Sequence, residues 1–255
     1  MNTSQTGVDL IIPDIFDDED RIEAWFTLKN PGLNSNPQGL PGLNLGSNTG
    51  EEKEKIEKNR NLLFDALDLD ADWVAFADQI HSSRVQLITE GGMYPNTDGL
   101  VTAVPGLALA IQVADCAAVL MADPVNRVAA AIHAGWRGAA GNIISNGVEL
   151  MRRQGAKPDH IRAYVSPCIS QKNFEVGTEV AEQFPDRFVD YESYEKPHVD
   201  LKVFIHHNLV EMGINENSIE MDQGCTYRDA DRFYSYRREK EQSGRMLGII
   251  RLIRQ

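Results

Sequence analysis

The chain has 255 residues, 42% of them hydrophobic, and sets 25 Lys and Arg against 38 Asp and Glu, for a formal charge of −13. That length fits one large domain or two small ones and supports a sizeable core without a disulfide framework. No basic face is evident, which argues against a nucleic-acid partner, and the acidity is read as solubility. A small anionic substrate stays compatible, because a local basic site can sit in an acidic protein.

The opening MNTSQTGVDL has no basic n-region and no long apolar core, so no signal peptide is expected. Residues 31–50 are rich in Pro, Gly and Asn and carry PGLN twice, at 31–34 and 41–44, which predicts a loop. Thr49 and Glu52 have the spacing of a capping box, and Ile56, Leu63 and Leu67 follow at helical spacing, predicting a helix over 50–68. WVAFADQIHSSRVQLIT (73–89) predicts two strands flanking His81. TDGLVTAV and LALAIQVA predict two more, separated by Pro105-Gly106. The uncharged stretch from Gly99 to Ala114 is broken by Pro105, Gly106 and Gln112, and is too short for a membrane-spanning helix.

CAAVLMA (116–122) and RVAAAIH (127–133) surround an Asp123-Pro124-Val125-Asn126 turn and predict an antiparallel hairpin. Ala140, Ile143, Ile144, Val148 and Met151 share one helical face, with Gly155 placed to stop it. Beyond that, IRAYVS predicts a strand, 177–184 and 199–212 predict helices, and SIEM, FYSY and MLGIIRLI predict strands. Strands cluster in runs and do not alternate strictly with helices. The expected fold is therefore a single α/β domain over 1–255, with a mixed, largely antiparallel sheet flanked by helices.

His81, Cys116 and His133 each fall at the end or break of an apolar strand, where loops at one sheet edge can bring them together. Two imidazoles and a thiolate suit Zn2+, and three protein ligands leave a fourth position for water, whose pKa the ion lowers. The same donors suit Cu2+. Plainer readings stand beside this one. A strand-end His is commonly just hydrogen-bonded, and a lone Cys is commonly a small buried hydrophobe. Cys116 could also be a nucleophile with a His as its base. The three cysteines, Cys116, Cys168 and Cys225, form no C-x-x-C, which points to a reducing, cytoplasmic setting.

Gly135 and Gly138, after His133, let the backbone approach a ligand, and Arg137 between them could grip an anion. A turn that merely packs the helix on the sheet is the alternative. Asp98 and Asp115 are candidates for a general base or for a partner to a metal ligand, and either could instead be a turn residue. His198, His206 and His207 are assigned to a helix as structural or solvent-facing residues, and His160 to a loop.

QIHSSRV (79–85), ADCAAVLMADP (114–124) and AAIHAGWRG (130–138) resemble the laccase-domain, YfiH-like family, long described as polyphenol oxidases. NLGSNTGE, KNR, FEVG, VDLK, GCT, FYSYRRE and GR extend the resemblance along nearly the whole chain in order. The resemblance implies a single α/β domain and a zinc site at His81, Cys116 and His133. It further implies a purine nucleoside enzyme, carrying out phosphorolysis of adenosine, inosine, guanosine or methylthioadenosine and deamination of adenosine, with purine nucleosides and phosphate as small-molecule partners. Monomer and dimer remain open. Ser82 stands where the family usually has Gly, Ser166-Pro167 where it often has Gly-Pro, and Cys168 lies outside the metal pattern.

With six histidines in all, the chain does not supply the several imidazole-rich centres of a multicopper oxidase. The H-x-E and P-C-x-x-C signature of zinc nucleobase deaminases is also absent, since Ser82-Ser83 follows His81 and Gln171 stands where a second Cys would be needed. The competing readings are a cysteine or metal amidohydrolase editing peptidoglycan precursors, a copper-dependent polyphenol oxidase, and a partner protein using metal only for folding.

Overall fold

The central strands form where apolar residues run nearly unbroken between turn formers. The structure, a computed structural model, describes residues 2–3, 7–18, 20–33 and 40–254. In chain order the strands are β1 (Asn2–Thr3), β2 (Asp9–Ile11), β3 (Ile22–Thr27), β4 (Val74–Ala77), β5 (Val85–Leu87), β6 (Gly92–Tyr94), β7 (Gly99–Thr102) and β8 (Ala108–Val113). They continue with β9 (Ala117–Asp123), β10 (Val128–Ala134), β11 (Arg162–Val165), β12 (Val189–Asp190), β13 (His198–Val199), β14 (Ile219–Met221) and β15 (Met246–Leu252). The helices are α1 (Lys53–Leu67), α2 (Trp136–Ala140), α3 (Ile143–Arg153), α4 (Thr178–Ala181), α5 (Leu201–Glu211) and α6 (Tyr236–Glu239).

Among the described residues the strands make two large mixed sheets and a small ribbon. A 7-stranded sheet has the order β1-β2-β3-β15-β8-β4-β6, a 6-stranded sheet has the order β14-β11-β9-β10-β7-β5, and β12 pairs with β13. The α/β class and mixed pairing are as expected, but there are two large sheets where one was anticipated. The reason is visible in β8, β9 and β15, which are buried on both faces, so they read as continuous apolar runs that do not reveal which layer lies opposite.

Side-chain alternation builds the layers. Leu109 and Ile111 of β8, Ala118 and Leu120 of β9, and Ile250 of β15 fill the core between the two sheets. Ala117, Val119 and Met121 of β9 face the other way, packing with Ile144, Val148 and Met151 of α3 and with Ile205 and Leu209 of α5. Leu247 and Ile249 of β15 face α1 through Leu63, Phe64 and Leu67. The sheets approach closely at Gly248, where an added Cβ would lie 2.7 Å from that of Ala118.

Several expected elements shift. The helix predicted after His133 is divided into α2 and α3 at Gly141-Asn142, Asn142 taking φ 66°. The capping box at Thr49 is not formed, because the Thr49 hydroxyl donates to the Gly46 carbonyl and accepts from Asn44, and α1 starts after Glu52 without a side-chain cap. FYSY is not a strand. Ser235 instead caps α6 by accepting the Arg238 N–H, and the Tyr234 hydroxyl donates to the Pro41 carbonyl. His198 lies in β13 and not in the helix, with its Nδ1 2.8 Å from the Gln171 carbonyl, while His206 and His207 do lie on α5. His160 closes a short 3-10 turn, Pro158–His160. The helix predicted over 177–184 shortens to α4. Of the loop predicted over 31–50, residues 34–39 lie outside the described residues.

This topology positions the site. The chain crosses from one sheet to the other between β4 and β5, and again between β8 and β9. The β4–β5 crossing carries His81 and the β8–β9 crossing carries Cys116. The β9–β10 hairpin forms as expected. Its turn is held by Asp123 Oδ1, which accepts the Val125 and Asn126 N–H groups at 2.9 and 2.8 Å. Its register pairs Ala118 with His133 and Ala117 with Ala134, which sets Cys116 beside Gly135 just beyond the last pair.

Candidate metal centre

The ligand atoms of His81, Cys116 and His133 all lie within 4.8 Å of one another, and the two imidazoles meet edge-on with centroids 4.8 Å apart. His81 is exposed, Cys116 half-buried and His133 buried. Three residues spread over 52 positions thus converge as the sequence predicts, a span counted from the numbering of the chain.

Asp98 organises two of the three. Its carboxylate is fully buried, and Oδ1 accepts His133 Nδ1–H at 2.8 Å and the His81 backbone N–H at 2.9 Å. Oδ2 accepts the Ser82 N–H at 2.6 Å and the Ser82 hydroxyl at 2.7 Å. These bonds hold His81 at φ 59°, a left-handed conformation costly for a residue with a Cβ. They also fix the His133 tautomer, leaving Nε2 as the free donor atom, the usual arrangement behind a metal-ligating histidine. Ser82 supplies a hydroxyl contact to Asp98 that a glycine there would lack.

The electrostatics follow from this packing. Burial pushes Asp98 up, but hydrogen bonds from His133 and Ser82 prevail and hold it at about 2. Burial also raises the Cys116 thiol, and the adjacent His133 and His81 imidazoles bring it down to about 6. Burial would lower His133, whereas the Cys116 thiolate and Asp98 raise it to about 9. Without a metal, the pair is a thiolate against an imidazolium at neutral pH. A cation replacing the imidazolium proton meets a soft thiolate and two imidazoles, a donor set that fits zinc or copper.

Gly135 leaves the room these donors need. A Cβ there would lie 2.8 Å from Cys116 Sγ, 3.4 Å from His81 Cδ2 and 3.7 Å from His133 Cε1. A Cβ at Gly138 would lie 2.9 Å from the Ser82 carbonyl, so Gly138 lets α2 pack on the His81 loop. Neither glycine is among the residues that wall the cavity in front of the donors. Asp98 is not among them either, and its buried carboxylate bonds to His133 and to the His81 loop.

That cavity has a volume of about 430 Å³, and its walls include Asp115, Trp136, Arg137, Phe174, Arg237 and Arg245. Asp115, at φ 87°, faces it with Oδ1 accepting the Thr226 hydroxyl at 2.7 Å and Oδ2 accepting the Arg237 N–H at 2.6 Å. Arg137 is exposed, its guanidinium 4.3 Å from the centre of the Trp136 ring. A larger cavity of about 800 Å³ lies elsewhere, walled by carboxylates such as Glu51, Glu52, Glu239 and Glu241. Donor chemistry, and not volume, selects the smaller one: among the described residues only His81, Cys116 and His133 form a group able to hold an ion.

A family model described as multi-copper polyphenol oxidoreductase laccase matches residues 23–253. The chain belongs to that family. A purine nucleoside phosphorylase of Deinococcus radiodurans is 37% identical over 232 residues, covering 90% of this chain and 88% of the relative. One from Corynebacterium glutamicum is 34% identical over 236 residues, covering 90% and 94%. A protein named adenosine deaminase RL5, from an unknown prokaryotic organism, is 33% identical over 248 residues, covering 90% and 94%. Among solved structures, Bacillus licheniformis YfiH superposes with a TM-score of 0.88 at 30% identity, covering 98% of this chain and 97% of that one. YlmD from Geobacillus stearothermophilus gives a TM-score of 0.87 at 26% identity, covering 95% and 94%.

Phe174, Tyr236, Arg237 and Arg245 line the cavity and carry no role in the sequence reading. A signal was present: FEVG, FYSYRRE and GR resemble the family as clearly as the ligand segments do. Their distance along the chain hid their convergence on Cys116.

Proposed function

We propose that this chain is a zinc-dependent purine nucleoside phosphorylase, with adenosine deamination as a second activity of the same site. The observation that carries the reading is the convergence of His81, Cys116 and His133 beside a cavity walled by aromatic rings and arginines. Family members named for purine nucleoside phosphorolysis and adenosine deamination support it. His81, Cys116 and His133 would hold the zinc, which would supply Lewis acidity at the cavity.

The chain's own residues do the rest. Trp136 and Phe174 offer apolar faces for a purine, and the arginines balance the charge of an anionic co-substrate. In phosphorolysis a phosphate oxygen bonds to the ribose C1′ as the C1′–N9 bond breaks. The electron pair of that bond passes to the purine, which takes up a proton. In deamination a water oxygen bonds to adenine C6, the C6–N6 bond breaks, and ammonia leaves. Asp115 is the carboxylate that faces this space, so we assign it the proton. Asp98 keeps His133 and His81 oriented.

The test is to incubate zinc-loaded and metal-free protein with adenosine, with and without phosphate, and to read products by mass. Adenine with ribose-1-phosphate, and inosine, are expected from the zinc form alone. Equal turnover in a verified metal-free sample contradicts the reading. A cysteine amidohydrolase is the second reading, favoured by the Cys116 thiolate beside His133. Amide-linked cell-wall precursors in the same assay separate the two. The copper-dependent polyphenol oxidase reading has a single donor group among the described residues to support it.

A further inference from the structure

Three arginines reach the cavity, and their bonding differs. Arg137 is exposed and stacks over Trp136. Arg237 commits its Nη2 to the Glu175 carbonyl at 2.8 Å and its backbone N–H to Asp115. Arg245 is half-buried and fixed along its length. Its N–H donates to Asn44 Oδ1 at 2.9 Å, and its carbonyl accepts the Leu45 N–H at 3.2 Å. Its Nη1 donates to the Ser243 and Gly244 carbonyls at 2.7 and 2.9 Å.

Nε and Nη2 of Arg245 have no partner among the described residues, and no carboxylate lies within ion-pair range of the guanidinium. A half-buried cation over the Tyr236 ring (5.7 Å to its centre), with two adjacent free donors at the cavity wall, is a ready partner for an anion. Those two donors form one planar edge, which matches two oxygens of a phosphate. The stem is clamped from below by Gly46, since a Cβ there would overlap Arg245 Cγ and lie 2.7 Å from Arg245 Cβ. Both contacted atoms are near the backbone, so the arginine could not yield by swinging only its tip.

We propose that Arg245 is the seat of the phosphate co-substrate in the cavity, and that Gly46 is the positioning residue that holds it there. The inference rests on the phosphorolysis reading above and assigns the anion to Arg245, where the sequence alone had pointed to Arg137.

The experiment is calorimetric titration of zinc-loaded protein with inorganic phosphate, alongside steady-state phosphorolysis of adenosine. Arg245→Gln is expected to raise the phosphate Kd and KM about tenfold or more, as loss of a charge-assisted bidentate contact should. Arg245→Lys, which keeps the charge without the fork, should raise them less. Gly46→Ala should follow Arg245→Gln in direction with the arginine still present, which a merely structural loss of Arg245 would not produce. Arg153→Gln, on the exposed face of α3, removes the same charge as a control. Circular dichroism and zinc content verify each variant, and Arg245→Lys decides the matter if the glutamine variant does not fold. Unchanged phosphate affinity in folded Arg245 variants overturns this assignment while leaving phosphorolysis standing. A wild-type protein that neither binds nor consumes phosphate overturns both.

Discussion

Asp98 Oδ1 accepts His133 Nδ1–H at 2.8 Å, and the same oxygen accepts the His81 backbone N–H at 2.9 Å. One buried carboxylate therefore orients two of the three candidate ligands, His81 on the β4–β5 crossing and His133 on β10. Asp98→Asn replaces an acceptor with a group that must also find partners for an N–H2. Zinc affinity is expected to fall about 10–100-fold, the usual cost of losing the partner behind a ligating histidine. Competition with a chromophoric chelator measures it, and unchanged affinity would contradict the role given to Asp98.

Gly135→Ala tests the space around the donors. The new Cβ would lie 2.8 Å from Cys116 Sγ, close enough to displace the sulfur. The variant should fold, because the clash falls on one side-chain tip beside the cavity, yet lose most of its zinc on dialysis. Zinc content by atomic absorption, beside an unaltered far-ultraviolet circular dichroism spectrum, is the check.

The pH dependence of the metal-free protein follows from the Cys116–His133 pair. Alkylation of Cys116 by iodoacetamide should rise as pH increases through about 6 and then level off, because the thiolate is the nucleophile. Cys168 should stay unreactive over the same range, since it is buried and its thiol is pushed up to about 12. The stability sign follows too. The cysteine titrates below its ordinary 9.0, so its contribution is lost as pH falls through about 6. The histidine titrates above its ordinary 6.5, so its contribution is lost as pH rises through about 9. Metal-free protein should be most resistant to urea between those limits, and zinc binding there should release a proton from His133.

Gly248→Val tests the contact between the two large sheets. Gly248 faces Ala118 and Leu120 across the core, and a Cβ would lie 2.7 Å from that of Ala118. Overpacking of this kind costs about 1–3 kcal/mol. Urea unfolding should show a lower midpoint with an unchanged slope. Wild-type stability in the variant would contradict the close approach.

Much of this was legible in the sequence because it is local. The β9–β10 hairpin follows from two apolar runs around Asp123-Pro124-Val125-Asn126, and α1 from the spacing of Ile56, Leu63 and Leu67. His81, Cys116 and His133 stood out because each interrupts or ends such a run. What stayed hidden depends on the third dimension. The partition into two sheets leaves no trace in strands buried on both faces. Asp98 stands out as a base or as a partner to a metal ligand, with a turn residue as the alternative, and sequence does not decide between them because its bonds to Ile80, His81 and Ser82 reach back across 16 to 18 positions. Gly135 and Gly138 read as letting the backbone approach a ligand, and the close neighbours within the fold, Cys116 Sγ and the Ser82 carbonyl, come from segments that no local pattern connects to them. Arg245 lies 129 positions from Cys116 in the numbering, and no local pattern could bring the two to one cavity.

X-ray absorption at the zinc edge, on protein purified without added metal and then loaded with one equivalent of zinc, tests the centre most directly. Two nitrogen ligands at about 2.0–2.1 Å and one sulfur at about 2.3 Å are expected, with a light atom completing the shell. The sulfur should vanish in Cys116→Ser. A wild-type spectrum without sulfur, or one that Cys116→Ser leaves unchanged, would contradict a site built from His81, Cys116 and His133.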